Sequence, residues 1–287
     1  MNVLRPAFLL LLVSSHFWCN QGNSNSTLQP RQAFHLVHNF GVQFSGTYLL
    51  STLRSYDLVI IDPDQARNFE AESLAASRTL AVAYVNIGEA EDYRWYRSEI
   101  RKEWLRGSNP NWPGHSYIDV RNTGWQDLLL EKILPRIFRM PYAGLFLDMV
   151  DVASPDLYPE MSDGVVDLIS RIRKAYPDKV LIMNGGAFLA SRVRDVVDAM
   201  CAESIFSSYD FGSKKYYIRP GSESSERAME LRGMSQRNGV KILDIDYAAR
   251  GDSRIRAAVM DSAERNGFLG YIGTIELDSL ERATAQR

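Results

Sequence analysis

GLFLDMVD, residues 144–151, begins as a strand and ends in acid. Gly144, Leu145, Phe146 and Leu147 are apolar on both alternating faces, the pattern of a strand buried on two sides in a parallel sheet. Asp148 stands where such a strand emerges, and Asp151 follows in the loop. An aspartate at a strand end has a plain explanation, because it favours turns and bonds to nearby backbone. Whether it means more depends on how the other strands end.

Outward from this segment, short apolar runs alternate with amphipathic helical patterns. FGVQF (40–44), DLVIID (57–62), TLAVAYVNIG (79–88), YAGLFLD (142–148), KVLIMNGG (179–186), AMCAESIF (199–206), VKILDIDYA (240–248) and FLGYIGTIEL (268–277) read as strands. Helical patterns such as GWQDLLLEKILPRIFRM, DGVVDLISRIRKAY, SERAMELRGMSQRNG and SRIRAAVMDSAERNG separate most of them. Eight strands with helices between predict a (β/α)8 TIM barrel over residues 34–287. A doubly wound open sheet is the alternative. It finds no G-x-G-x-x-G or Walker-type loop, so nucleotide binding has no support. Gly185-Gly186 reads only as a turn.

In a barrel the C-terminal strand ends line one mouth, where active sites are built. Here they supply Gln43, Asp62, Asn86, Asp148, Asn184, Glu203, and Asp244 with Asp246. Alternation puts Asp148 on one face with Gly144 and Phe146, and Asn184 with Val180 and Ile182. The same reading turns Asp244 and Asp246 inward with Val240 and Ile242, leaving Lys241, Leu243 and Ile245 toward the helices. Carboxylates and asparagines near Tyr84, Tyr93, Trp95, Tyr209 and Tyr247 suit a sugar, which offers hydroxyls to acids and an apolar face to rings. The excess of acid over base also favours a cationic ligand. With four histidines in the chain and none in a strand-end cluster, no metal and no cofactor is expected.

Composition fits this outline. The chain has 287 residues, is 45% hydrophobic and 24% charged, and carries a formal net charge of −2. That is ordinary for a globular domain, and without a long Lys/Arg run nucleic acid is not an expected partner. Residues 1–20 read as a signal peptide, with Arg5 ahead of an apolar run from Ala7 to Val13 that is too short to span a bilayer. Residues 21–33 read as a polar linker. Export follows, to a secreted or periplasmic location. A membrane association is expected only if Cys19 is lipidated, and Phe17 and Trp18 fit that signal badly. Asn25-Ser26-Thr27 matches a glycosylation acceptor. Cys201 is the single cysteine of the body, so no internal disulfide is possible there. The chain is expected to act as a monomer.

AVAYVNIGEAEDYRWY, GLFLDMVD, LIMNGG, AESIF, ILDIDYA and GYIG, in that order, resemble glycoside hydrolase family 114. That family comprises the endo-α-1,4-polygalactosaminidase-like TIM barrels, including the hydrolase domain of Pel polysaccharide deacetylase-hydrolases. The resemblance runs from about Phe34 to Leu277. It implies hydrolysis of α-1,4-linked galactosamine polymers by two carboxyl groups on the fourth and sixth strands. These match Asp148 and Glu203, with Asp148 implied as nucleophile and Glu203 as acid/base. Glu89, Asp92 and Arg94 of GEAEDYR fall in a family motif after the third strand, as subsite or loop-ordering residues. Asp62, Tyr84, Asn86, Glu89, Asn184, Tyr209, Asp244, Asp246 and Tyr247 are the expected substrate-binding set.

Two strands of a barrel separated by one other lie roughly 9 to 10 Å apart. Side chains converging from each side bring the carboxyl groups to about 5 to 8 Å, within reach of a paired mechanism. A non-catalytic sugar-binding barrel is the competing function, since it needs the aromatic residues and Asn184 but neither carboxylate. An aldolase or isomerase would want an inward lysine, and Lys241 reads as facing the helices.

Overall fold

A computed structural model describes residues 28–283, so the expected signal peptide and most of the expected linker lie outside the described residues. The chain enters through α1 (Pro30–Phe34) and then alternates: β1 (Phe40–Gln43), α2 (Leu50–Leu53), β2 (Leu58–Ile61), α3 (Asn68–Ala75) and β3 (Leu80–Asn86). After β3 it leaves for a small antiparallel sheet of β4 (Glu89–Glu91), β5 (Leu105–Ser108) and β6 (His115–Ile118). Helix α4 (Thr123–Leu128) runs through a π-turn into α5 (Leu134–Ile137), which feeds β7 (Gly144–Asp148). Then follow α6 (Ser162–Ala175), β8 (Val180–Asn184), α7 (Ala190–Val193) and β9 (Ala199–Glu203). A hairpin of β10 (Ser207–Asp210) and β11 (Lys215–Ile218) intervenes before α8 (Gly221–Asn238), β12 (Lys241–Tyr247), α9 (Ser253–Arg265) and β13 (Leu269–Gly273).

Eight strands form one parallel sheet in the order β1-β2-β3-β7-β8-β9-β12-β13. Its two edges meet: the Tyr271 hydroxyl donates to the Val42 carbonyl at 3.0 Å, and the Phe44 N–H to Leu277 at 2.8 Å. The fold is therefore a (β/α)8 barrel, and each of the eight expected strands is present. The runs are apolar throughout because both faces are buried. Leu58, Ile60, Phe146 and Ile182 fill the interior, while Val59, Ile61, Leu145 and Leu181 pack under the helices.

The first helix begins at Pro30, four residues ahead of the expected start of the body, and its Phe34 seals the barrel floor. Arg31 reaches Asp198 at 2.8 Å. Lys241 donates to the carbonyls of Phe34, His35 and Val37 at 3.3, 3.2 and 3.3 Å, satisfying oxygens that a helix end leaves open.

That lysine marks a correction. The phase of β12 is opposite to the expected one: Leu243, Ile245 and Tyr247 face the interior, whereas Ile242 joins the outer core. Asp244 and Asp246 share the outer face and are fully buried away from the mouth. The outer side of this strand end is covered by the backbone of the turn into β10, not by an apolar helix. That backbone brings N–H groups needing an acceptor, and Asp246 accepts from Phe206 and Ser207. Lys241 is on the inner face but at the floor, remote from any mouth chemistry.

Candidate active site

Three neighbouring strands, β7, β8 and β9, end in Asp148, Asn184 and Glu203. On each the polar end residue shares the inner face with apolar residues two and four positions back, so all three side chains rise into the mouth. Asn184 stands between the acids. Its Nδ2 donates to Asp148 Oδ1 at 2.8 Å and to Glu203 Oε1 at 2.8 Å. Those two oxygens are consequently within twice that distance of each other.

Each carboxyl has a second, private partner. Tyr84 donates to Asp148 Oδ2 at 2.8 Å, and the Tyr247 hydroxyl bonds to Glu203 Oε2. Burial pushes the Asp148 carboxyl up, against the lowering effect of Asn184, Tyr84 and the Met149 N–H. Desolvation within the mouth pushes Glu203 up as well, though less firmly than Asp148 because its side chain is exposed, opposed by its bonds to Tyr247 and Asn184 and reinforced by the nearby Asp148 charge. Asp148 thus has the larger set of donors, and the charge on either acid opposes ionisation of the other. Burial and these carboxylates raise both tyrosines well above their usual range, which keeps them protonated as donors.

The backbone leaves both strands the same way. Met149 (φ 59°) and Ser204 (φ 56°), each directly after a carboxyl residue, are left-handed. A non-glycine residue there carries strain on the order of 1–3 kcal/mol, which such sites tolerate when the surroundings fix the conformation. Asp151 helps fix it. Its Oδ1 accepts from the Gly186 N–H at 2.7 Å. A Cβ at Gly185 (φ +75°) would meet Asp151 Oδ2 at 2.2 Å, so that position requires glycine.

Behind Asp148 lies a charged network. Arg94, 5% exposed, pairs with Asp62 at 2.8 Å, Asp64 at 3.1 Å and Glu91 at 2.5 Å. Its guanidinium also covers the rings of Tyr84 and Tyr93 at 5.3 and 4.9 Å. Tyr84 links this network to the site, since its hydroxyl lies 3.2 Å from Glu91 Oε1. Burial raises Asp62 although Arg94 opposes it. Glu89 accepts from Asn109 at 2.6 Å and meets His115 Nδ1 at 3.0 Å, and that bond raises the histidine's pKa.

Asp148, Glu203, Asp62, Tyr84, Glu89, Asn184, Tyr209 and Tyr247 all line one cavity of about 770 Å³, oligosaccharide-sized rather than ion-sized. Other expected residues do not. Asn86 is buried below the cavity, where its Oδ1 accepts from Gly88 and Glu89 N–H at 3.1 and 2.8 Å. Asp244 and Asp246 are behind β12. Trp95 faces outward under Arg136, 4.3 Å from its ring. Gln43, a strand-end residue, instead holds the carbonyls of Ser45, Thr47 and Asp278. Asp92 forms a surface pair with Arg97 at 2.8 Å.

Sequence reasoning missed Glu91, Asp64, His115, Trp112 and Phe211. Glu91 was findable: with period two it shares a face with Glu89 on β4. Trp112 and Phe211 were not, because they sit on excursions after β3 and β9. Their rings, 46% and 54% exposed, meet edge-on with centroids 5.9 Å apart, and both line the cavity. Among the described residues no group of three or more His, Cys, Asp or Glu is arranged to hold a metal ion.

Comparison with known proteins adds an independent line. The model of glycoside-hydrolase family GH114 matches residues 20–287. A protein of Deinococcus radiodurans is 26% identical over 272 residues, covering 87% of this chain and 84% of its own. One of Thermotoga maritima is 25% identical over 230 residues, covering 73% and 69%. Among solved structures, the glycoside hydrolase domain of PelA from Pseudomonas aeruginosa superposes with a TM-score of 0.74 at 19% identity, over 85% of this chain and 97% of that one. Aspergillus fumigatus Ega3 in complex with galactosamine does so with 0.70 at 13% identity, over 86% and 95%. At these identities the structural likeness speaks to the fold.

Proposed function

The chain belongs to glycoside-hydrolase family GH114, and from that membership we propose an exported enzyme that cleaves α-1,4 linkages in a galactosamine-containing polysaccharide with retention of configuration. The observation that carries this reading is Asn184 held between two carboxyl groups. One amide nitrogen in contact with both acids keeps two of their oxygens no farther apart than twice 2.8 Å, closer than the roughly 6.5–9.5 Å that leaves room for a water, and this supports retention.

In this mechanism Asp148 is the nucleophile. Its donors stabilise the anion, and it attacks the anomeric carbon as Glu203 gives its proton to the departing glycosidic oxygen. The anomeric carbon–oxygen bond breaks and a glycosyl ester forms on Asp148. Glu203, now ionised, takes a proton from water as that water attacks the same carbon, releasing Asp148. Asn184 and the two tyrosines hold both carboxyls in place through both steps.

Galactosamine units bear protonated amines. The acids around the cavity, among them Asp62, Glu89 and Glu91, outnumber its cations, which suits such a polymer. Tyr209 and Tyr247 offer ring surface to the sugar. Export rests on the N-terminal pattern around Arg5 and Ala7–Val13. A sugar-binding barrel without catalysis has no use for two acids sharing one donor.

The test is incubation with partly deacetylated galactosaminogalactan beside chitosan and starch, with products followed by NMR. Short oligosaccharides from the first polymer alone, appearing first as the α-anomer, support the reading. A first-formed β-anomer overturns retention, and release from chitosan or starch instead overturns the substrate.

A further inference from the structure

Asp244 and Asp246 have no place in the cavity, yet both are completely buried, and no ion pair to either is found among the described residues. Asp246 receives a concentrated set of donors. Its Oδ1 accepts from Ser207 N–H at 2.7 Å, and its Oδ2 from Phe206 N–H at 3.1 Å. Those donors belong to the turn that begins with Glu203 and left-handed Ser204. Ser204 N–H itself bonds to the Ile245 carbonyl at 2.9 Å, and Ser207 Oγ donates to the Tyr247 carbonyl at 2.9 Å. The turn is stitched to three successive residues of β12, and the next side chain, Tyr247, holds the Glu203 carboxyl from the front.

We propose that Asp246 is a positioning residue for Glu203, gripping the backbone behind the acid/base while Asp244, two residues earlier on the same face, supports Asp246 from below. Asp244 has neither carboxyl oxygen bonded to any other group among the described residues. Two adjacent anions without a cation would be prohibitively costly in that setting. One proton held between them removes a charge and gives Asp246 a further donor. Burial first, and then the Asp246 charge, raise Asp244 well above the carboxylate range, in keeping with this arrangement. The left-handed Ser204 explains the need: a strained conformation persists only where neighbours over-determine it.

This inference rests on Glu203 being the acid/base, so Glu203→Gln is run in parallel. Substrates are a short α-1,4 galactosamine oligosaccharide and its aryl glycoside, whose leaving group needs little protonation. Asp246→Ala is expected to lower turnover of the oligosaccharide about 10- to 100-fold, the scale of a displacement of around an ångström. It should lower turnover of the aryl glycoside far less, copying the pattern of Glu203→Gln in weaker form. Asp246→Asn, which keeps an acceptor, should fall between Asp246→Ala and wild type. Asp244→Asn, whose amide still donates, should retain roughly tenfold more oligosaccharide activity than Asp244→Ala. Equal losses on both substrates in Asp246→Asn, or equal activity of the two Asp244 variants, overturn the positioning role. Absence of a leaving-group effect in Glu203→Gln overturns the assignment of Glu203 instead.

Discussion

At the floor of the barrel, Phe34 and Val37 fill the interior and Lys241 ties down three carbonyls of the entering chain. At the mouth, the same strands end in Asp62, Asp148, Asn184 and Glu203, around which acids outnumber bases. The floor satisfies what it buries. The mouth buries charge, holds two residues left-handed, and leaves Asp148 and Glu203 displaced above their ordinary pKa. The difference teaches where stability and function reside: neutralising a mouth acid should remove activity without removing stability, and a floor change should do the reverse.

The strongest test is at the two acids. Asp148→Asn and Glu203→Gln are each expected to cut polymer turnover by on the order of 10² to 10⁴ or more, with a melting temperature at or above that of the parent. Near-parental turnover by either folded variant removes that residue from the mechanism. The same pair predicts a pH effect on stability. A carboxyl raised in the folded state binds its proton more tightly there than in the unfolded chain. Its contribution to stability is therefore complete below the unfolded pKa and lost as the pH rises through the folded one. Denaturant titrations across that window should show a smaller decline in Asp148→Asn.

Asn184→Ala removes the donor shared by both acids. Hydrogen bonds to charged groups contribute about 1.5–3 kcal/mol, so turnover should fall by one to two orders of magnitude. A loss no greater than twofold would mean that the bridge does not govern the pair. Tyr84→Phe deletes one donor to Asp148 and should cost about tenfold. Without the hydroxyl that lowers it, the Asp148 pKa rises further, so the acid limb of kcat/KM moves to higher pH. An unmoved limb detaches Asp148 from Tyr84.

The smallest effect belongs to the floor. Lys241→Met should lower stability by about 1 kcal/mol, because burial already opposes the ammonium it replaces. Turnover should stay within about twofold. A large activity loss with unchanged melting would erase the contrast between the two ends.

Much of this was legible because a doubly buried parallel strand writes an unbroken apolar run, and GLFLD, KVLIMN and AMCAE end theirs in polar residues of fixed phase. In GLFLD and KVLIMN alternation gave the correct inward face because the polar residue closes the strand. In ILDIDY it did not. Leu243 and Ile245 alternate with Asp244 and Asp246, and in a barrel either set can face the interior. The deciding partner, the backbone of Phe206 and Ser207, lies some forty positions away and leaves no local trace. The floor helix and the hairpin after β9 were hidden for a similar reason. Short elements such as α1 and the β10–β11 hairpin are held by tertiary contacts, not by a period long enough to read.

One of those contacts sets how the protein handles a long thread. Trp112 and Phe211 reach across from separate excursions and touch. A polymer chain lying in the cavity that both rings line would leave by slipping lengthwise or by displacing their contact, worth roughly 0.5–1.5 kcal/mol. Dwell time on one molecule then becomes separable from the speed of bond breaking. Several cuts are expected for each encounter, and Trp112→Ala should shorten the run. Viscosity of the polymer solution, followed against reducing ends released, reads the number of scissions per visit; an unchanged ratio in that variant would show that the rings do not retain the thread.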